Sequence, residues 1–342
     1  MRRLLLWAVL ILAVVGIVGG AIAYRVLTPY KGYQANEQFV DIPAGSAPRA
    51  IGNRLVQSGV VRDRVAFEVA WRLGARDRAL KAGEYRFDQP LSALAVADKL
   101  ARGDVYLRPL TFPEGWTMIE MAQLFEEKGF GGKREFLQAA ADPVPIHDLD
   151  PHAPDLEGYL FPDTYNLPRR VDAPALVGQM VARFRAVFDE AVRAQVAASG
   201  HTVRELVTLA SLVEKETGQA DERSLVAAVF VNRLEMGMGL YSDPTIIYAL
   251  RKAGRYRGNL SRADLRLDSP YNTYKYPGLP PGPIAAPGRA SLGAALEPAS
   301  VDYLYFVSRN DGSHVFARTL EEHNKNVQEY QVRYFQEGRD KP

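Results

Sequence analysis

The chain has 342 residues, of which 47% are hydrophobic and 24% are charged, as is ordinary for a globular protein of about two domains. Its formal net charge of +2 is too small to indicate nucleic-acid binding. The absence of cysteine excludes disulfides, thiolate nucleophiles and cysteine-ligated metal sites.

The N-terminus carries the first informative segment. Arg2 and Arg3 precede an uncharged apolar run at 4–24, which has about the length of a membrane-spanning helix. Because positive residues mark the cytoplasmic end, we expect residues 1–3 in the cytoplasm and the remainder in the periplasm, held by one pass through the inner membrane. The alternative is a cleaved signal peptide, because Ala-Ile-Ala at 21–23 resembles a cleavage site. The apolar run at 4–24 is, however, longer than the apolar region of a signal peptide, which usually has about 7–15 residues.

A polar tether is expected over 25–37, and beyond it the sequence partly repeats itself. The segment 39–61 resembles the segment 107–130. Each begins with a β-prone run, continues through a Pro-x-Gly turn, and then shows a helical pattern that ends in glycine. These features predict two copies of one small structural unit.

Each copy continues with a second predicted helix and a closing strand, which gives the order β-α-α-β. In the first copy these elements are 65–73 and 84–87, and in the second they are 134–141 and 159–161. The first copy, bounded as 38–106, resembles a LysM-like module, a small carbohydrate-binding fold. A spacer domain without a ligand is the alternative.

The C-terminal half is predominantly helical. Three amphipathic stretches precede a segment rich in proline and glycine, which can present side chains on a rigid backbone. A strand and a polar helix are predicted after it. Together with the two copies, this pattern predicts an α+β protein whose second domain covers 107–342. The predicted elements of the C-terminal half are the helices 173–198, 203–217 and 225–234, the Pro/Gly-rich segment 270–288, the strand 303–308 and the helix from 320.

One carboxylate stands out on the predicted helix 203–217. At about 100° per residue, Glu214 falls in an apolar row, whereas Glu216 falls on the opposite flank with Glu205 and is expected to face solvent. Partial desolvation favours the protonated form that a general acid for glycoside cleavage requires. The alternative is a buried glutamate paired with an arginine such as Arg233. The apolar row consists of Val203, Val207 and Ala210.

Longer blocks carry a family resemblance. The sequences LASLVEKETG at 209–218 and VFVNRLEMGMGLYSDPTIIYAL at 229–250 are similar to the catalytic core of the endolytic murein transglycosylase (MltG or YceG-like) family. Three further blocks agree with that family: LEGYLFPDTY, SPYNTYKYPGLPPGPIAAPG and DYLYFVSRNDGSHVFARTLEEHNKNV. The resemblance implies that 107–342 is the catalytic domain and that Glu214, the first glutamate of the EKE triplet, is the catalytic residue.

The resemblance also implies the chemistry. A lytic transglycosylase breaks the β-1,4 bond after N-acetylmuramic acid in peptidoglycan glycan strands. Glu214 would donate a proton to the leaving oxygen, and the 6-hydroxyl of the same sugar would then attack while Glu214 recovers a proton. The product is a 1,6-anhydro end. The reaction consumes no water and needs neither a metal nor another cofactor.

Several other residues are candidates for substrate binding. Glu157 could orient the site or bind sugar, with an ion pair to an arginine as the alternative. Asn232 could hold an N-acetyl group, and Asp243 is expected to cap a helix over 244–250. A final group combines hydrogen-bonding groups with aromatic faces, as sugar subsites do, with a packed loop as the alternative: Tyr271, Asn272, Thr273 and Tyr274.

The expected topology suggests a role in ending the elongation of nascent strands, because the anchor would hold the site near the membrane. Peptidoglycan synthases are candidate partners beside the glycan strands, and nucleic acid is not expected. Two alternative functions remain at this point. One is a water-using muramidase with Glu157 or Asp243 as second carboxylate; the other is a non-catalytic scaffold that binds the cell wall.

Overall fold

The computed structural model describes residues 2–74, 78–334 and 336. Over this range the chain is a mixed α+β protein in which helices predominate. Six short strands form three two-stranded sheets among the described residues. The predicted α+β class is confirmed in this coarse form.

The chain divides into two compact units. One contains the residues up to 108 together with 166–169, and the other contains 109–165 together with the residues from 170 on. Each unit is described separately below.

Helix α1 (Arg2–Leu27) opens the first unit. Its stretch Leu5–Leu27 is long and apolar enough to cross a bilayer, and most of its large side chains are exposed. The helix continues past the predicted span, so the first three residues of the predicted tether are helical. There Arg25 lies 3.5 Å from the Asp63 carboxylate and Val26 is buried.

The remainder of the first unit forms around a pair of antiparallel strands. Gln38 pairs with Phe87 at one end of the sheet, and Ile42 pairs with Gly83 at the other. The predicted β-α-α-β order is confirmed, and a further helix follows it. The elements are β1 (Gln38–Ile42), α2 (Pro48–Gln57), α3 (Arg64–Gly74), β2 (Gly83–Phe87) and α4 (Ala93–Arg102), and their core includes Val40, Leu55, Phe67, Tyr85 and Leu100.

The second copy has the same order, but its closing strand lies later than predicted. The predicted strand 159–161 is wrong: Gly158 has a left-handed φ of +84° and the Tyr159 N–H donates to Leu156 O, so the chain turns there. Strand pairing resumes at Thr164. The elements are β3 (Arg108–Thr111), α5 (Met118–Glu127), α6 (Lys133–Ala140) and β4 (Thr164–Leu167), with β3 beside β4.

The long helix predicted over 173–198 is two helices, α7 (Ala173–Val187) and α8 (Glu190–Ser199). Phe188 leaves helical geometry, with φ −90° and ψ 59°. The Asp189 side chain then accepts from the Val192 N–H at 3.1 Å and starts a new helix. An amphipathic pattern continued across this break, which is why the sequence predicted one helix.

The helices predicted over 203–217, 225–234 and 244–250 and from 320 are present to within a few residues, and the strand predicted over 303–308 begins two residues later. The helix Arg289–Leu296 and the strand His314–Ala317 were not predicted from the sequence. The elements are α9 (Val203–Glu216), α10 (Arg223–Glu235), α11 (Asp243–Lys252), α12 (Arg289–Leu296), β5 (Tyr305–Ser308), β6 (His314–Ala317) and α13 (Leu320–Val327), which a π-helical stretch Gln328–Arg333 follows. Helix α9 packs against α10, α11 and α12, and the side chains of 206–213 along it are buried.

Candidate active site

Helix α9 places Glu214 in its last turn. A capping box starts the helix: the Thr202 side chain accepts from the Glu205 N–H, and the Glu205 carboxylate accepts from the Thr202 N–H. Leu206 to Val213 are buried, which fixes the rotation of the helix in its unit. Glu214 itself is half-buried at the end of this apolar stretch.

A backbone N–H holds the Glu214 carboxylate. Gly288 N donates to Glu214 Oε2 at 3.0 Å. Gly288 is the N-cap residue of α12, and it has no side chain with which to cap the helix. Since helix N-termini carry partial positive charge and free N–H groups, α12 provides a favourable site for a carboxylate oxygen. Glu214 therefore acts as an external cap for α12.

The Pro-x-Gly turn of the second copy encloses the other side of Glu214. Gly115 has a φ of +73°, and its N–H donates to Ala286 O at 2.9 Å. In return the Ala286 N–H donates to Trp116 O at 2.8 Å, and Lys215 Nζ donates to Gly115 O at 3.0 Å. Glu214 thus lies among the end of α9, this turn and the segment that leads into α12.

Glu114, in the middle of that turn, is a site residue that the sequence analysis missed. A methyl group placed on Gly288 would lie 1.9 Å from Glu114 Oε1, so the Glu114 carboxylate packs directly on the α-carbon of Gly288. Burial raises the pKa of Glu114, the nearby Glu214 charge raises it further, and the charge of Arg223 opposes both. The available signal was the change from Pro-Ala-Gly in the first copy to Pro-Glu-Gly in the second.

Glu216 does not face solvent, which corrects the expectation from the helix pattern. Ser242 Oγ donates to Glu216 Oε1 at 2.6 Å, and burial raises the pKa of Glu216, with Asp243 adding to the rise. Only Glu205 of that predicted row is exposed. The start of α11 covers the flank of α9 at its C-terminal end, and no periodicity within α9 could reveal that.

Glu157 is almost completely buried, with 4% of its surface exposed. Met118 N donates to its Oε1 at 3.0 Å, and the Tyr248 side chain is a further hydrogen-bond partner. Burial raises the pKa of Glu157 to about 8, against the lowering effect of the Met118 N–H. In this structure Glu157 stabilises the first turn of α5.

The predicted capping role of Asp243 is wrong, because Ser242 occupies the N-cap position and Asp243 is the first residue of α11. Tyr274 Oη donates to Asp243 Oδ1 at 2.7 Å. The Tyr274 ring is partly exposed and meets the Tyr241 ring edge to face, with centroids 5.4 Å apart. Tyr241, which the sequence analysis did not single out, adds a second exposed aromatic face here.

Four other predicted binding residues make contacts within the protein. The Asn272 amide donates to Leu265 O and Leu267 O, and the Thr273 hydroxyl accepts from the Ser242 N–H; both side chains are buried. The Asn232 amide donates to Val301 O and Tyr303 O, so both of its N–H donors are used. Tyr271 packs against Tyr248 with ring centroids 4.9 Å apart.

The structure therefore brings Glu214 together with Glu114, and it brings Asp243 together with Tyr274. Glu216 links the two pairs, because it follows Glu214 on α9 by two residues and bonds to the residue before Asp243. No group of three or more histidine, aspartate or glutamate side chains placed to hold a metal occurs among the described residues.

Comparison with known proteins identifies relatives over nearly the whole chain. Residues 40–329 match the YceG-like family. The chain is 33% identical over 333 residues to the endolytic murein transglycosylase of Bacillus subtilis strain 168, covering 92% of this chain and 91% of that protein. It is 32% identical to the endolytic murein transglycosylase of Streptococcus pneumoniae strain D39, covering 91% of this chain but 62% of that longer protein.

A solved structure gives the same result. The crystal structure of a yceG-like protein from Listeria monocytogenes superposes with a TM-score of 0.58 at 32% sequence identity, covering 85% of this chain and 98% of that one. The family match covers most of the chain, and the resemblance seen in the sequence blocks is confirmed. The chain belongs to the YceG-like family of endolytic murein transglycosylases.

Proposed function

We propose that the chain is an endolytic peptidoglycan lytic transglycosylase and that Glu214 is its catalytic acid and base. The family membership supports the activity. The observation that carries the residue assignment is the hydrogen bond from Gly288 N to Glu214 Oε2. One carboxylate oxygen is held at the start of α12, so the orientation of the Glu214 carboxyl group is fixed within the protein.

The reaction proceeds in two proton transfers. Glu214 donates its proton to the oxygen that links muramic acid to the next glucosamine, the C1–O bond breaks, and an oxocarbenium-like centre develops at C1. The 6-hydroxyl oxygen of the same muramic residue then bonds to C1, and its proton passes to Glu214. The carboxyl group ends as it began, and the product carries a 1,6-anhydro ring.

A water-using muramidase is the second candidate, because it requires a second carboxylate near the acid. Neither carboxylate first considered for that role supports it: Glu157 is engaged at the start of α5, and Asp243 accepts from Tyr274. Glu114 is the carboxylate that lies beside Glu214. Cleavage in ¹⁸O-labelled water distinguishes the two reactions, since only the muramidase incorporates the label into the new end.

The experiment that tests the assignment is Glu214→Gln, with Glu216→Gln as the matched control on the same helix. General acid–base catalysis contributes about 10²–10⁴-fold per positioned group, so Glu214→Gln should lose at least that much strand cleavage. Glu216→Gln should retain most activity, because its raised pKa favours a neutral side chain that glutamine resembles. Mass spectrometry of the products measures both rate and end structure; an active Glu214→Gln enzyme would refute the assignment.

The location of the enzyme follows from the same reasoning. We propose that α1 remains as a single-pass inner-membrane anchor, with the chain beyond it in the periplasm near nascent strands. In that part, 38–106 is a LysM-like module and 107–342 is the catalytic domain. The length of the apolar helix supports the anchor. Peptidoglycan synthases are candidate partners in ending strand elongation. A mature chain that starts at Tyr24 would contradict the anchor.

A further inference from the structure

The segment that follows α1 is bound to the first unit. Tyr30 N donates to Leu91 O at 3.0 Å, and the Leu91 N–H donates back to Tyr30 O at 3.3 Å. Three residues later the Tyr33 hydroxyl donates to Phe87 O at 2.9 Å. The polar tether predicted over 25–37 is therefore fixed to the unit as far as Tyr33, and α1 cannot swing independently of the strands and helices behind it.

The end of α1 packs directly against the start of α3. Val26 has 3% of its surface exposed, and Arg25 Nη1 lies 3.5 Å from Asp63 Oδ2 in the residue before α3. The stretch that can cross a bilayer is Leu5–Leu27, so Val26 lies in its last turn. The start of α3 is therefore held at the depth where the span ends, which is the headgroup layer of a membrane.

Arg62 lies between two tyrosine rings at this depth. Its guanidinium carbon is 5.3 Å from the ring centroid of Tyr24 on α1 and 5.2 Å from that of Tyr30. Its Nη2 donates to Pro29 O at 3.4 Å. Arg62 and Tyr24 are both exposed, so the guanidinium is accessible from outside the unit.

Arg62 also differs from its charged neighbours. Arg25 pairs with Asp63 and Arg64 pairs with Glu68, with N–O distances of 3.5 and 2.7 Å. Within the described part of the first unit, the ion pairs do not include Arg62. The two pairs largely cancel, so Arg62 leaves a net positive charge beside the end of α1.

We propose that Arg62, with Tyr24 and Tyr30, binds the phosphate of an anionic phospholipid headgroup and thereby holds the first unit against the outer face of the membrane. This inference rests on the proposed single-pass anchor. Arginine binds phosphate through two parallel N–H donors, and tyrosine is enriched where a membrane meets water. The exposed apolar side chains of α1 favour a lipid over a free anion, because acyl chains can pack along them.

A phosphate in this position joins two elements. Arg62 belongs to the loop before α3 and Tyr24 belongs to α1, so a headgroup bound at Arg62 contacts the unit and the anchor at once. The span alone leaves the unit able to tilt with α1, whereas a second contact at the surface opposes that tilt. The lipid therefore acts as an orienting ligand.

Native mass spectrometry of the full chain in detergent tests the proposal. The probes are dioleoylphosphatidylglycerol and dioleoylglycerol, which have the same acyl chains and differ by the phosphoglycerol group. Arg62→Gln should lower the affinity for the phospholipid about fivefold, the contribution of one basic residue near an anionic membrane surface. Arg62→Lys keeps the charge but loses the paired donors, so its affinity should be intermediate. Arg54→Gln, which removes an exposed arginine of α2, is the matched control.

A loss confined to the Arg62 variants, with dioleoylglycerol binding unchanged, supports the proposal. Equal losses in Arg62→Gln and Arg54→Gln overturn it, because they indicate diffuse attraction to the whole unit. Unchanged phospholipid binding by Arg62→Gln overturns it as well. The commitment to a lipid is wrong if inorganic phosphate, at the same concentration as the phospholipid, displaces it from the wild type.

A second variant decides if Arg62→Gln does not fold. Tyr24→Leu keeps the span apolar and removes one ring from Arg62, so it should weaken binding of the phospholipid but not of dioleoylglycerol. Equal effects on both lipids would overturn the proposal. Sequencing the mature N-terminus tests the anchor separately, because a chain that starts at Tyr24 refutes the anchor whatever the lipid affinities of the full chain are.

Discussion

The two β-α-α-β copies share one local design. Gly45 and Gly115 have nearly the same φ, +74° and +73°, in the turn after the first strand. The following helices also end alike: Val60 N donates to Leu55 O in the first copy, and Phe130 N donates to Phe125 O in the second. Both helix ends therefore have Schellman geometry, in which the residue before the last donor is left-handed. Glycine permits that conformation, and Gly59 and Gly129 occupy this position.

The surroundings of the turn differ completely. A Cβ on Gly45 would meet no atom within 4 Å, whereas Gly115 lies against Glu214 and Lys215 and bonds to Ala286. The residue before the glycine is Ala44 in one copy and Glu114 in the other. The turn is therefore a backbone scaffold that both copies share. Only in the second copy does it carry a carboxylate, Glu114, and pack against the end of α9 that bears Glu214.

The second copy buries a carboxyl group ahead of its closing strand, and this gives the largest expected effect. The closing strands themselves bury Tyr85 and Tyr165, but the turn before β4 also buries Glu157, whose pKa burial raises from 4.5 to about 8. The folded chain keeps a proton on Glu157 that the unfolded chain has released, so rising pH favours unfolding. As the pH rises from 4.5 to about 8, the wild type should therefore lose up to about 1.4 kcal/mol of unfolding free energy per pH unit relative to Glu157→Gln.

Thermal or urea unfolding at pH 4.5, 6 and 8 measures this difference. The two proteins should be most alike at the lowest pH and diverge as the pH rises, with Glu157→Gln the more stable at pH 8. Glu127→Gln, an exposed glutamate of the same copy, is the control. Parallel curves for Glu157→Gln and wild type would show that Glu157 is ionised in the folded chain.

The sequence predicted well what local patterns determine. Regular apolar spacing predicted α9 and α10 to within two residues, and the glycines at 59 and 129 predicted helix ends. The same patterns failed where a turn or cap overrode them, as at Asp189, where a side-chain cap starts a new helix inside an amphipathic run.

The site was predictable only in part, because its contacts join distant segments. The helix pattern singled out Glu214, but Gly288, which holds it, lies 74 residues away, and Gly115 lies 100 residues from Lys215. Glu216 was assigned to the wrong environment because α11 covers that flank. Glu114 was missed because its chemistry depends wholly on such a contact, with only the Ala-to-Glu change between copies to indicate it.

The glycine of the Pro-x-Gly turn can be replaced by alanine in each copy, and the two variants should differ in activity. Alanine in a left-handed conformation costs about 1–2 kcal/mol, so Gly45→Ala and Gly115→Ala should lose similar unfolding free energy. Only Gly115→Ala should also lower kcat, by about 10²-fold, the cost of a displacement of about 1 Å at a catalytic group. Equal activity in the two variants would mean that the turn does not position Glu214.

The smallest effect concerns the start of the helix after each turn. In the second copy Thr117 and Glu120 form a capping box, whereas in the first copy Ala47 occupies the cap position with no side-chain bond. The backbone at Ala47, with φ −67° and ψ 150°, is close to that at Thr117, with φ −81° and ψ 159°. The first copy is therefore already shaped to accept a box.

Installing that box by Ala47→Thr with Ala50→Glu should stabilise the first unit by about 0.5–1 kcal/mol, because the threonine hydroxyl and the glutamate would satisfy two free N–H groups. Both alanines are exposed, so the longer side chains have room. The reverse change, Thr117→Ala, should cost about 1 kcal/mol in the second unit. Urea unfolding measures both; if Ala47→Thr with Ala50→Glu brings no gain although Thr117→Ala brings a loss, the two turns differ in backbone geometry more than their φ and ψ angles indicate.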